Sequence, residues 1–79
     1  MLYSDYVRCE ALTGRFLYFP KKYAKLVEKK RDLVEEAMSL KNQGLFDEAS
    51  KVISEIIRIN RRIPPCGISE DQFNRAMGV

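Results

Sequence analysis

Histidine and tryptophan are both absent from this 79-residue chain. The first absence removes the side chain that most often serves as a general base and that most often holds a metal ion. Cysteine is scarce. Cys9 and Cys66 stand too far apart to form a local ligand pair. In a lysine-rich chain without a secretory signal they read as two reduced thiols of a cytoplasmic protein rather than as a disulfide. The four glycines, Gly14, Gly44, Gly67 and Gly78, are scattered, so no glycine-rich loop can cradle a phosphate. Long apolar runs are missing too. The longest apolar cluster is residues 16–19, far short of the roughly 18 residues a membrane span requires. Two pairs of adjacent carboxylates remain, Asp47 with Glu48 and Glu70 with Asp71. Both fall at helix starts, where negative charge complements the helix dipole and needs no catalytic explanation. The expectation is a non-enzymatic protein without metal, cofactor or membrane anchor.

What the chain does have is helical pattern and an uneven charge. The net charge of +3 is mild, but residues 15–31 hold seven basic residues against one acidic, Glu28. Residues 2–19 favour strand, with Leu2, Tyr3, Tyr6 and Val7 ahead of a Thr13-Gly14 turn signal. Arg15-Phe16-Leu17-Tyr18-Phe19 follows, closed by Pro20, and together these predict a short β-hairpin. Such a hairpin needs a surface to pack on.

Pro20 suits a helix start, because its fixed φ fits the first turn and its missing N–H is not needed there. A helix over about 21–42 follows. It places Tyr23, Leu26, Val27, Leu33, Val34, Ala37 and Leu40 on one stripe, with Lys25, Glu28, Lys29, Asp32, Glu35 and Glu36 opposite. Gly44 is the natural terminator. The second helix, about 45–62, puts Phe46, Ala49, Val52, Ile53, Ile56, Ile57 and Ile63 on its apolar side. Val27, Val34, Ile57 and Ile59 mark the margins of the two stripes. Ile63-Pro64-Pro65-Cys66-Gly67 reads as a stiff linker. Beyond it, Ser69 and Gln72 form a capping-box pair, flanked by Ile68 and Phe73, that starts a short helix over about 70–77.

The fold class expected is therefore mainly α, one small domain over 1–79, built on an antiparallel helical hairpin. Folding about Gly44 brings Ala37 level with Ala49 and Lys30 near residues 56–60. Lys30 and Asn60 are polar residues inside apolar stripes. The plainer reading has Lys30 reaching out to water and Asn60 at a fraying helix end; the sharper one pairs them to fix register.

The series Leu33, Ala37, Leu40, Gly44, Phe46, Ala49, Ile53 resembles the helix-turn-helix unit of tetratricopeptide repeats over residues 30–63. It departs from that pattern at Glu36 and Ile56. It also occurs once, whereas repeat folds need neighbours to cover their faces. The resemblance implies a hairpin solved by the same packing geometry and, by analogy, a peptide-binding scaffold.

A chain of this size buries only roughly 60% of the surface its unfolded form exposes. Both apolar stripes are wide, so self-association into a homo-oligomer, in the simplest case a homodimer, is expected as the main added stabiliser. Another protein is the expected partner. The candidate contact residues are Phe16, Tyr18, Phe19 and Tyr23 as aromatic anchors, with Arg15, Lys22 and Lys25 around them, because aromatic residues and Arg dominate binding hot spots. The alternative partner is nucleic acid, bound by the interleaved cations and aromatics of residues 15–31. No recognised RNA- or DNA-binding signature accompanies that stretch.

Overall fold

In the computed structural model, which describes residues 3–78, the element order is β1 (Tyr6–Leu12), β2 (Arg15–Pro20), a 3-10 turn (Lys21–Tyr23), α1 (Ala24–Asn42), α2 (Phe46–Arg62) and α3 (Glu70–Ala76). The mainly α class, the helical hairpin, the N-terminal β-hairpin and the C-terminal helix all stand as expected. Leu2 lies outside the described residues, and Tyr3 belongs to the turn before β1 rather than to a strand.

Gly14 turns the β-hairpin at φ 75°, a left-handed conformation that glycine adopts without a Cβ clash. The strands are antiparallel, with Val7 opposite Phe19 and Cys9 opposite Leu17, and an irregularity between Glu10 and Leu12 shifts the register next to the turn. Because side chains alternate along a strand, Val7, Cys9, Leu17 and Phe19 share one face. That face packs on Val27 of α1, where Cys9, Phe19 and Val27 are buried and Ala11, Ala24, Ile63 and Cys66 close around them.

Gly44 ends α1 with φ 77°. The Gly44 N–H donates to the Lys41 carbonyl at 3.0 Å and the Leu45 N–H to the Leu40 carbonyl at 2.9 Å, the bond pair of a Schellman motif with leucine at both ends. Beyond this turn α2 packs back along α1. Ala37 and Ala49 are both buried, as expected of small residues where helices approach closely.

Two details of the hairpin correct the sequence reading. Ile59, expected at the margin of its stripe, is only 5% exposed, whereas Ile53 and Ile57 are 39% and 50% exposed. The inner seam of α2 runs Ala49, Val52, Ile56, Ile59, Ile63. Ile53 and Ile57 each follow a seam residue by one position and so point about 100° away from α1. Lys30 and Asn60 are not separate solvent-seeking residues: Lys30 Nζ donates to Asn60 Oδ1 at 2.7 Å, joining the two helices near their base.

The Pro-Pro linker does more than space α3. It folds the chain back so that Ile68 bridges Tyr18, through Tyr18 N–H to Ile68 O at 2.8 Å and Ile68 N–H to Tyr18 O at 3.0 Å. Gly67 is required in this return, since a Cβ there would stand 2.7 Å from Cζ of Phe19. The capping box forms as predicted, with Gln72 N–H on Ser69 Oγ at 3.2 Å and Ser69 N–H on Gln72 Oε1 at 3.1 Å. It aims Phe73 at Tyr18, whose ring it stacks at 4.0 Å and 7°.

The molecule is elongated, 48 × 22 × 15 Å. The sheet covers α1. Among the described residues no helix is long and apolar enough to cross a membrane.

Candidate protein-interaction surface

The seven residues singled out from sequence do not form one patch. Arg15 and Phe16 lie at the turn end of β2, and Lys22, Tyr23 and Lys25 follow Pro20 at its other end. Roughly 17 Å of strand separates them, at about 3.4 Å per residue. Between them the aromatic side chains diverge. Phe16 is 40% exposed, and the Arg8 guanidinium lies 4.1 Å from its ring centroid, within cation–π range. Tyr18 is half-buried against Phe73. Phe19 is 8% exposed and belongs to the core, which corrects its assignment as a surface anchor: its position opposite Val7 turns it toward α1. Lys22 is exposed, with its Nζ 5.2 Å from the ring centroid of half-buried Tyr23. Lys25 is exposed on α1.

The basic stretch is also partly neutralised within the chain. Arg31 contacts Glu10 at 2.7 Å and Asp32 at 2.6 Å. Hydrogen bonding to Asp32, and then to Glu10 against an opposing cost of desolvation, raises its guanidinium further above neutrality. The Thr13 hydroxyl donates to the Glu35 carboxylate, tying the β-hairpin turn to α1.

Burial, and secondarily the charge of Glu28, pushes the Cys9 thiol up, the opposite of what an activated nucleophile needs. Both cysteines are free. No cluster of His, Cys, Asp or Glu suited to a metal occurs among the described residues. A cleft of about 500 Å³ between sheet and helix bases is lined by Phe19, Val27, Ile63, Pro64 and the mutually bonded Lys30 and Asn60, with no acid–base pair.

The surface that sequence reasoning missed lies on α2. Phe46 is 63% exposed, and with Ile53 and Ile57 it forms a row that no other element covers among the described residues. Met38, 60% exposed, and Leu45 add to the apolar surface of the distal hairpin. Between the β-hairpin turn and distal α1 runs an open groove of about 750 Å³, lined by Leu12, Thr13, Val34, Met38 and Asn42. The signal was present in the spacing. Residues 46, 50, 53 and 57 repeat the 4-3-4 interval of residues 45, 49, 52 and 56, one position on, so a single wide stripe was two adjacent seams.

No protein-family model, curated protein or solved structure matches the chain. The likeness of residues 30–63 to a tetratricopeptide unit has no family match behind it and is a likeness of spacing.

Proposed function

We propose that the protein is a non-enzymatic interaction module, a small regulator, inhibitor or adaptor of the cytoplasm, that works by presenting the outer face of α2 to another protein chain. The observation that carries this reading is the row Phe46, Ile53, Ile57, three large apolar side chains on one face of one helix, all exposed. Single exposed apolar residues are ordinary, whereas several large ones along one helix face, bordered by charge, are the usual mark of a protein interface. Phe16, held under Arg8, is a further aromatic contact, and Arg15, Lys22 and Lys25 contribute to a polar rim.

A pull-down from the native host, with and without nuclease, tests the reading. Protein partners are expected to survive nuclease and to be lost with Ile53→Glu, while a Lys21→Gln, Lys22→Gln, Lys25→Gln triple variant keeps them. Retention of RNA or DNA at physiological salt, lost in the lysine variant with a flatter salt dependence, would transfer the function to nucleic acid. The placing of Phe19 in the core and Tyr18 on Phe73 removes two of the aromatic stacking partners that alternative would use.

A further inference from the structure

The cleft at the base of the molecule has apolar walls and one polar end. Leu17 and Phe19 of β2, Val27 of α1 and Ile63 just after α2 enclose about 500 Å³. That is within the usual range for a site that takes a small organic molecule. Among the described residues that line it, only Lys30 and Asn60 carry polar side-chain atoms.

The bond between these two fixes what they offer. An ammonium can only donate, so Asn60 turns its Oδ1 to Lys30 Nζ, at 2.7 Å, and directs its amide N–H groups elsewhere. Lys30 uses one of its three N–H groups in that bond. The polar end of the cleft therefore presents donors, the remaining ammonium N–H groups and the Asn60 NH2, together with one positive charge. Among the described residues no acid lines the cleft, and the ion pairs are those of Arg31, so no carboxylate of the chain balances Lys30. The complementary head is a carboxylate, which accepts only, brings a single negative charge and has two oxygens for two donor groups. A phosphate monoester would carry charge that one ammonium leaves unbalanced beside apolar walls. The complementary body is apolar, as the remaining lining side chains are.

We propose that this cleft binds a small apolar monocarboxylate, of the class of a medium-chain fatty acid, with its carboxylate on Lys30 Nζ and Asn60 Nδ2 and its hydrocarbon body between Leu17, Phe19, Val27 and Ile63. The site shares no residue with the row Phe46, Ile53, Ile57. It is a second binding surface and does not depend on the reading of α2.

Titration of the isotope-labelled full chain with octanoate, followed by amide chemical shifts up to about 10 mM, tests it. Saturable shifts are expected at Leu17, Lys30 and Ile63, with a dissociation constant of about 1 mM, as suits a ligand of so few atoms. Octanol, with the same chain and no charge, should bind at least about fivefold more weakly. Lys30→Met removes the cation at similar side-chain length. Asn60→Asp keeps a partner for Lys30 but sets a carboxylate of the chain where the ligand's own would lie. Each should weaken octanoate binding at least about fivefold with an unchanged circular dichroism spectrum. No saturable shift by about 10 mM overturns the proposal. Equal binding of octanoate and octanol by the wild type overturns it as well, since the head group would then have no part in recognition. Binding indifferent to both Lys30→Met and Asn60→Asp has the same consequence. Shifts confined to Phe46, Ile53 and Ile57 would put the hydrocarbon on the exposed face of α2 and reject the cleft.

Discussion

The two ends of this molecule treat hydrophobic surface in opposite ways. At the base, Phe19 packs on Val27 and closes against Gly67, Tyr18 is stacked on Phe73, and the outer edge of β2 is given a partner by Ile68. Toward the tip, Met38, Leu45, Phe46 and Ile53 are between 39% and 63% exposed. The cause is one of layers. Two helices pairing side by side bury one stripe each, and any second stripe needs a third element over it. The β-hairpin is that element for α1, where it covers Val27 and is pinned by Glu10 to Arg31 and by Thr13 to Glu35. Among the described residues nothing plays that part for the row Phe46, Ile53, Ile57 on α2. Stability therefore concentrates at the base and exposed apolar surface at the distal hairpin.

The largest effect that could break this comparison is expected from Phe19→Ala. Removing a buried ring held by sheet, helix and linker should cost about 3–5 kcal/mol, enough to unfold most of the population of a domain this small. Urea denaturation would show it as a collapsed midpoint. A cost below about 1 kcal/mol would mean that the base is not where the stability lies.

Next in size are changes where the helices meet. Ala37→Leu or Ala49→Leu should destabilise by about 1–3 kcal/mol through overpacking, because both alanines are buried between α1 and α2. Ser54→Ala, on the exposed outer face of α2, should stay within about 0.5 kcal/mol. Neutral alanine variants beside a severe Ser54→Ala would displace the interface from the Ala37–Ala49 level.

Much of this fold was legible in the sequence because its punctuation is local. Thr13-Gly14, Gly44 and the Ser69–Gln72 box each act within four residues, and each forms as its residue types dictate. The depth of individual stripe residues was less legible. Val52 and Ile53, or Ile56 and Ile57, are chemically alike, and which of each pair faces α1 depends on a rotation of the helix that only tertiary packing sets. The return of Ile68 to β2 was not legible at all, since a two-bond bridge between positions fifty residues apart leaves no periodic trace. The candidate site suffered from the opposite error. Interleaved aromatics and cations in residues 15–25 read as one surface, but strand alternation sends Phe19 inward and leaves Phe16 and Tyr18 on the other face.

Smaller effects sharpen the picture of the base. Ser69→Ala removes the capping acceptor of α3 and should cost about 1 kcal/mol. The loss should be local, with faster amide exchange at Ile68 and Tyr18 while α1 and α2 keep their protection. Exchange that rises equally everywhere would make α3 part of one cooperative unit with the hairpin. The Cys9 thiol gives a pH dependence of known sign. Its folded pKa is raised by burial, so the folded state holds the proton more tightly than the unfolded one. Its contribution is complete below the ordinary thiol range and is lost as pH rises through the folded value. Alkaline denaturation should therefore set in at higher pH in Cys9→Ala than in the wild type once their neutral-pH stabilities are matched; an identical onset would remove Cys9 from the account.

The smallest expected effect on stability is also the sharpest contrast. Phe46→Ala is the same truncation as Phe19→Ala, made at a side chain 63% exposed rather than 8%. In dilute solution it should change the free energy of unfolding by no more than about 0.5 kcal/mol. The variant should instead lose capture of the partner protein in the pull-down while keeping the circular dichroism spectrum of the wild type. A large loss of stability in dilute solution would mean that Phe46 is held by its own chain, and the row Phe46, Ile53, Ile57 would then be part of the core rather than a surface open to a partner.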